Sequence, residues 1–383
     1  MTFSTLSAGV VAAFAGFASS VAVVLAAAEA VRASPLQTVS WVTATCGAVA
    51  VTTALLTMIY RIPITTAWST PGAAIIAASA GAVSFDEAVA GFLFAGALIV
   101  LTGLVRPLGR LLARIPQPIA SAMLAGVVVR FVVAAFESLV SMPLLIAPLM
   151  IAFLLLRVVS QTSAALAVLV GGVGWAWVLG SAPASFALSL SSLTWTMPAF
   201  STSAVIGLAL PLYLVTMVSQ NLAGAAVLQA NGYQVPFNAV LRVTGIASVI
   251  IGPLGGHTVN LSAIAAAIAA GPDAHPDPAR RWPAGIALAA TYALITVFAG
   301  SLVALFLALP AELMRTVAGL ALMTSLINAL TTSMSDPDLT FPAAVTFSLT
   351  MSGITVAGIG SPFWGLVAGL AVLALNKAFN AGD

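Results

Sequence analysis

Residues 60–81, YRIPITTAWSTPGAAIIAASAG, break an almost continuously apolar chain with prolines, hydroxyls and an arginine. Such a stretch cannot cross a bilayer as one regular helix. Pro63 has no N–H to donate and biases Ile62 toward extended backbone, so residues 62–68 read as extended chain. Ser69 or Thr70 then caps a new helix, with Pro71 near its first position and a run of Ala and Ile behind it. A half-helix therefore starts inside the membrane. Its N-terminus carries unpaired N–H groups and partial positive charge, tolerable at that depth only where they line a cavity. Broken helices of this kind point to a transporter's binding site.

A second copy follows. Residues 257–271, HTVNLSAIAAAIAAG, align on residues 67–81 at an offset of 190 (257 − 67), with Ala73/Ala263, Ala77/Ala267, Ala80/Ala270 and Gly81/Gly271 identical. Its approach, Gly252-Pro253-Leu254-Gly255-Gly256, again breaks a helix. Ala90-Gly91 matches Ala284-Gly285, and Ile115-Pro116 matches Leu309-Pro310, both at an offset of 194 (284 − 90). The order of breaker, half-helix, charged loop, long helix and X-Pro turn recurs in both halves.

Composition settles the class. With 61% hydrophobic and only 6% charged residues, the chain is no soluble globule, where about 25% is charged. It reads as an all-α polytopic membrane protein. A net charge of +2 argues for no nucleic acid or acidic partner. The single cysteine, Cys46, excludes an internal disulfide and a cysteine metal cluster. Residues 1–7 lack the basic region of a cleavable signal, and the first apolar run reads as a span.

The expected topology has about fourteen segments. Spans lie at about 8–30, 38–59, 88–104, 118–135, 142–156, 162–179, 204–228, 237–251, 282–307, 311–330, 339–357 and 363–378, and the two half-helices are segments 3 and 10. Arg106, Arg110 and Arg114 share one face of a helix end and fix that loop in the cytoplasm by the positive-inside rule. Both termini are then cytoplasmic, and residues 180–202 form an external connection. The half-helices enter from opposite faces, which is a 7+7 inverted repeat.

Two opposed helix N-termini suit a carboxylate or another anion. Candidate donors beside them are Ser69, Thr70, His257, Thr258 and Asn260, with Gln220 and Asn221 from the eighth span; Gly72 allows close approach. Trp68 and Tyr60 supply an aromatic wall. No Asp or Glu falls in these segments, as suits an anionic substrate. His257 is the expected proton carrier; Glu29 and Glu137 are rivals placed near membrane ends. His275 beside Asp273 and Asp277 reads as a solvated loop, so no metal and no cofactor is expected. No GxxxxGK[ST] loop, nucleophile–base pair or cofactor fingerprint argues for a pump or an enzyme.

Arg61-Ile62-Pro63-Ile64 with Ala67-Trp68-Ser69-Thr70-Pro71-Gly72, Ser219-Gln220-Asn221-Leu222 with Asn231-Gly232-Tyr233, and Ala274-His275-Pro276-Asp277-Pro278 resemble the benzoate/proton symporter family of bacterial inner membranes. The resemblance covers nearly the whole chain. It implies a relation in fold to nucleobase/proton symporters and sulfate-type anion transporters. A core domain (1–116 and 202–308) would then face a gate domain (117–201 and 309–383), with a homodimer through the gate. Nucleobase symporters place acidic residues where this chain has Gln220 and His257, so their coupling scheme does not carry over. The function implied is import of benzoate or a similar aromatic carboxylate with a proton by alternating access. A proton-independent anion exchanger or channel of the same fold is the alternative.

Overall fold

The computed structural model describes residues 2–105, 115–159, 161–182 and 188–380, so Arg106, Arg110 and Arg114 fall outside the described residues. Among the described residues, nine helices are long and apolar enough to cross a membrane, and two shorter apolar helices accompany them.

The first half of the chain contains α1 (Phe3–Ala18), α2 (Val21–Ala30), α3 (Pro35–Tyr60), β1 (Thr66–Trp68), α4 (Thr70–Ala78), α5 (Phe85–Leu104), α6 (Gln117–Ser141), α7 (Pro143–Val159) and α8 (Gln161–Val178). The second half contains α9 (Ser203–Ala230), α10 (Phe237–Ile251), β2 (Val259–Leu261), α11 (Ala263–Ala269), α12 (Pro283–Leu307), α13 (Ala311–Ser333), α14 (Thr340–Ser352), β3 (Thr355–Val356), β4 (Ile359–Gly360) and α15 (Ser361–Asn380). Helices pair across the halves: α3 packs on α12, α5 on α10 and α6 on α13.

The centre of the molecule is a two-stranded antiparallel ribbon in which Thr66 faces Leu261, Ala67 faces Asn260 and Trp68 faces Val259. Two broken segments thus meet by pairing their extended portions. In an apolar surround, the outward amides of so short a ribbon need other acceptors. Side chains from three helices supply them. The Thr66 amide donates to Thr53 Oγ1 of α3 at 3.0 Å, that of Leu261 to Asn221 Oδ1 of α9 at 3.0 Å, and that of Val259 to Ser248 Oγ of α10 at 2.8 Å. Gly224 lets α9 come this close, since a Cβ there would lie 2.6 Å from Leu261 Cβ.

Three features depart from expectation. The first span is broken at Ser19–Ser20 rather than continuous, because Ser20 Oγ turns back to donate to the Gly16 carbonyl and competes with the helix ladder. The alignment of the two copies is shifted by three residues. Ser69 and Ser262 are the matching caps, accepting from Gly72 and Ala265 amides, which is an offset of 193 (262 − 69) rather than 190. Alanine-rich sequence had matched itself out of register. Finally, the expected span at about 339–357 is only the short α14, ended by Gly353 at φ 69° and followed by the β3–β4 hairpin.

The connection between the halves was expected to be external. Its described part runs extended over the helix ends: Thr194 and Ser40 bond each other, the Thr196 amide donates to the Pro253 carbonyl, and the Ala199 amide to that of Asp86.

Candidate functional site

A cavity of about 520 Å³ lies where the ends of β1 and β2 run into α4 and α11, against the break between α1 and α2, one side of α9, and the facing sides of α6 and α13. That is within the range of small-ligand sites. Ser69 and Ser262 occupy the third N–H of their helices, which leaves earlier amides open. Among the described residues, the amides of Thr70, Ala263 and Ile264 have no acceptor, and all three residues line the cavity.

Helix α9 contributes through a local widening. Its backbone is a π-helix over Thr216–Asn221, a form that recurs at functional sites. Val218, Ser219 and Gln220 line the cavity, while the buried Asn221 points to the ribbon.

Of the residues singled out in the sequence, Trp68, Thr70 and Gln220 reach this cavity. Trp68 is held edge-on between Phe17 and Tyr292, at 5.7 and 6.0 Å between ring centroids, and its indole N–H donates to Ser20 Oγ at 2.7 Å. Ser69 stands behind the wall, where its Oγ also accepts from Thr216 Oγ1 at 3.1 Å; Thr216 in turn meets Thr258 Oγ1 at 2.9 Å. Gly72 is packed against Leu212. Asn260 donates to the Leu261 carbonyl, and its buried Oδ1 has no partner. Tyr60 sits at the end of α3, 37% exposed, and does not join the cavity.

His257 is fully buried in the approach to β2 and is not among the cavity-lining residues. Its Nδ1 accepts from the Trp41 indole at 2.9 Å, and its Nε2 lies 3.1 Å from the Ser69 carbonyl. With the corrected register, His257 and Thr258 precede the strand and do not cap the helix.

Sequence reasoning missed the far wall. Gln117 and Ser121 on α6, and Ser325, Asn328 and Thr332 on α13, face the two broken segments. Their spacing of three or four residues on otherwise apolar helices is the signal that could have found them. Ser262 before an Ala/Ile run is the same cap signal as Ser69. Among the described residues, no ionisable side chain lines this cavity.

A second cavity, of about 860 Å³, lies beyond it along the same helices. Glu29 of α2, Arg130 and Glu137 of α6, and Arg315 of α13 line it. Ser20 borders the first cavity and Ala22 the second; on α6 the boundary falls between Leu124 and Val127, and on α13 between Ala318 and Leu320. The septum is therefore two to three residues thick, less than one helical turn and roughly 3 to 5 Å.

Two membrane segments broken at mid-depth, paired through short strands and opening on a cavity, define a transporter class of polytopic membrane protein. The chain belongs to the family described as benzoate membrane transport protein (BenE), which it matches over residues 1–375. It is 37% identical over 366 residues to the inner membrane protein YdcO of Escherichia coli (strain K12), covering 95% of this chain and 94% of that one. It is 34% identical over 370 residues to the benzoate membrane transport protein of Acinetobacter baylyi, covering 96% and 94%. The family and the Acinetobacter relative are described as membrane transport proteins, not enzymes, and the Escherichia coli relative as an inner membrane protein. Among solved structures, the transmembrane domain of the cyanobacterial bicarbonate transporter BicA aligns with a TM-score of 0.62 at 15% identity, over 96% of this chain and 98% of that one. Murine Slc26a9, an anion transporter in the inward-facing state, aligns with a TM-score of 0.59 at 14% identity, over 97% and 68%. Both likenesses show the fold.

Proposed function

We propose that the chain imports benzoate or a similar aromatic carboxylate with a proton, by alternating access of a core (1–116 and 202–308) against a gate (117–201 and 309–383). The observation that carries this reading is the set of open amides at Thr70, Ala263 and Ile264 in a cavity where none of the described lining residues is charged. An anion there meets hydrogen-bond donors and the positive end of α4, and no carboxylate repels it. Thr70 and Gln220 add side-chain donors. The edge of Trp68 and the small residues Ala67, Ala223 and Ala267 accept a flat ring. Family membership supports the substrate class.

The same reading arranges the chain as fourteen segments in a 7+7 inverted repeat. In support, α4 and α11 follow equivalent strands and equivalent caps. The first cavity is assigned to the cytoplasmic face. Arg61 at the end of α3, Arg280 and Arg281 before α12, and Lys377 near the end of α15 lie at that end of the helices, as the positive-inside rule asks.

We assign the proton to the second cavity rather than to His257. Glu29 and Glu137 are carboxylates lining it, whereas a proton on His257 Nδ1 would face the Trp41 donor.

The test is uptake of radiolabelled benzoate into proteoliposomes under an inward proton gradient, with and without an uncoupler, after subtracting flux through bare lipid. Saturable, gradient-driven accumulation is expected. Saturable flux indifferent to the gradient would replace symport by exchange or channel behaviour, and no protein-dependent flux would remove the substrate.

A further inference from the structure

Arg130 has no place in the reading above. It stands thirteen residues after the start of α6 and eleven before its end. At 1.5 Å per residue that is roughly 16 to 20 Å from either end, the middle of a membrane slab. A guanidinium at that depth is expensive unless it faces water or an anion. Its side chain lines the second cavity and rests on the backbone of Gly353, where α14 ends. Among the described residues, neither Arg130 nor Arg315 forms an ion pair or a hydrogen bond through its guanidinium, and neither Glu29 nor Glu137 has a cationic partner.

The four charged groups are graded in depth. Glu29 is next to last in α2, Glu137 lies four residues from the end of α6, and Arg315 is the fifth residue of α13. Those three ring the mouth, and Arg130 is the deepest charge, about one turn above the apolar floor at Ala22, Val127 and Ala318. Arg130 and Glu137 are seven residues apart on one face of α6, about 10 Å along the axis. Among the described residues no carboxylate pairs with Arg130, and a guanidinium stays protonated, so the deepest charge in the cavity is positive. A phospholipid phosphate at headgroup level does not reach so deep.

We propose that this second cavity is a binding site for a small carboxylate, with the Arg130 guanidinium as its principal ligand and Arg315 beside the entry. A planar fork of N–H groups matches a carboxylate in two parallel hydrogen bonds. The carrier then holds a carboxylate site on each side of the septum. Only the chemical class of the ligand rests on the function proposed above.

The test is equilibrium binding of radiolabelled benzoate to the purified full chain in detergent, alongside uptake, for wild type, Arg130→Gln and Arg130→Lys. The Gln variant should weaken one class of binding sites about tenfold or more and raise the uptake KM, while Lys, a charge without the fork, recovers part of the affinity. Wild-type binding and KM in a folded Gln variant overturn the proposal and leave transport standing. Wild-type binding that is lost in the Gln variant, in a protein that carries no flux, supports the site and sinks the transport reading. If Gln does not fold, an Arg130→Lys protein that binds as wild type overturns the proposal. Sensitivity of the Arg130 site to anionic lipid but not to benzoate also overturns it.

Discussion

The indole N–H of Trp41 donates to Nδ1 of His257 at 2.9 Å, and this one contact fixes the imidazole's tautomer. Indole nitrogen can only donate, so Nδ1 is bare and Nε2 carries the hydrogen it gives to the Ser69 carbonyl. His257 thus ties α3 to the loop that leads into α4. Glutamine also offers one acceptor and one donor, so His257→Gln should keep gradient-driven uptake. His257→Ala strands the buried Trp41 N–H, at about 1–3 kcal/mol, while the Ser69 carbonyl keeps the Ala73 amide, and should lower the melting temperature by a few degrees. A Gln variant that still transports but no longer responds to the gradient would return the proton to this histidine.

Thr70 and Gln220 line the cavity, whereas their neighbours Ser69 and Asn221 hold the backbone around it. Thr70→Val and Gln220→Ala should therefore act on substrate affinity. Losing a hydrogen bond to a charged ligand costs about 1.5–3 kcal/mol, a KM raised roughly tenfold to a hundredfold. Asn221→Ala instead leaves the Leu261 amide without an acceptor, and its effect should fall on thermal stability. Concentration dependence of uptake and melting curves for the three variants separate these outcomes. A normal KM in both lining variants would empty the cavity of its role.

Much of the architecture was readable because lipid punishes irregular backbone: Pro63 and the Gly-Pro run at 252–256 mark breaks, and Ser69 or Thr70 before Pro71 marks a helix start, with Ser69 the cap in the structure. The register of the second copy was not readable from residue identity. Alanine matches alanine at many offsets, and the cap at Ser262 is the more exact marker. Residue type alone does not tell a lining group from a scaffold group. Asn260, Thr258 and His257 carry the right chemistry, but pairing of β1 with β2 turns their hydrogen bonds toward the scaffold. The walls from α6 and α13 come from distant sequence and become a site only on packing.

The two cavities should be reachable from opposite faces. Cys46 is buried, so a Cys46→Ala chain gives a clean background for single cysteines. Asn328→Cys, in the first cavity, should react with a membrane-impermeant maleimide added from the cytoplasmic side. Glu137→Cys, in the second, should react from the periplasmic side. Labelling of both from the same face in sealed vesicles would collapse the orientation and the septum together.

Coupling gives the last prediction. A carboxylate that carries the proton must be neutral while the loaded carrier crosses and charged at another point of the cycle. Glutamine mimics only the neutral form. If Glu137 or Glu29 is the carrier, its Gln variant should still exchange internal for external benzoate, because exchange never needs the deprotonated state. The same variant should lose the acceleration that an inward proton gradient gives net uptake. Both groups line the second cavity, so the double variant tests the cavity as a whole. Counterflow and gradient-driven uptake measured on the same vesicles decide it: gradient-driven accumulation in the double variant would mean that the proton does not enter through these carboxylates.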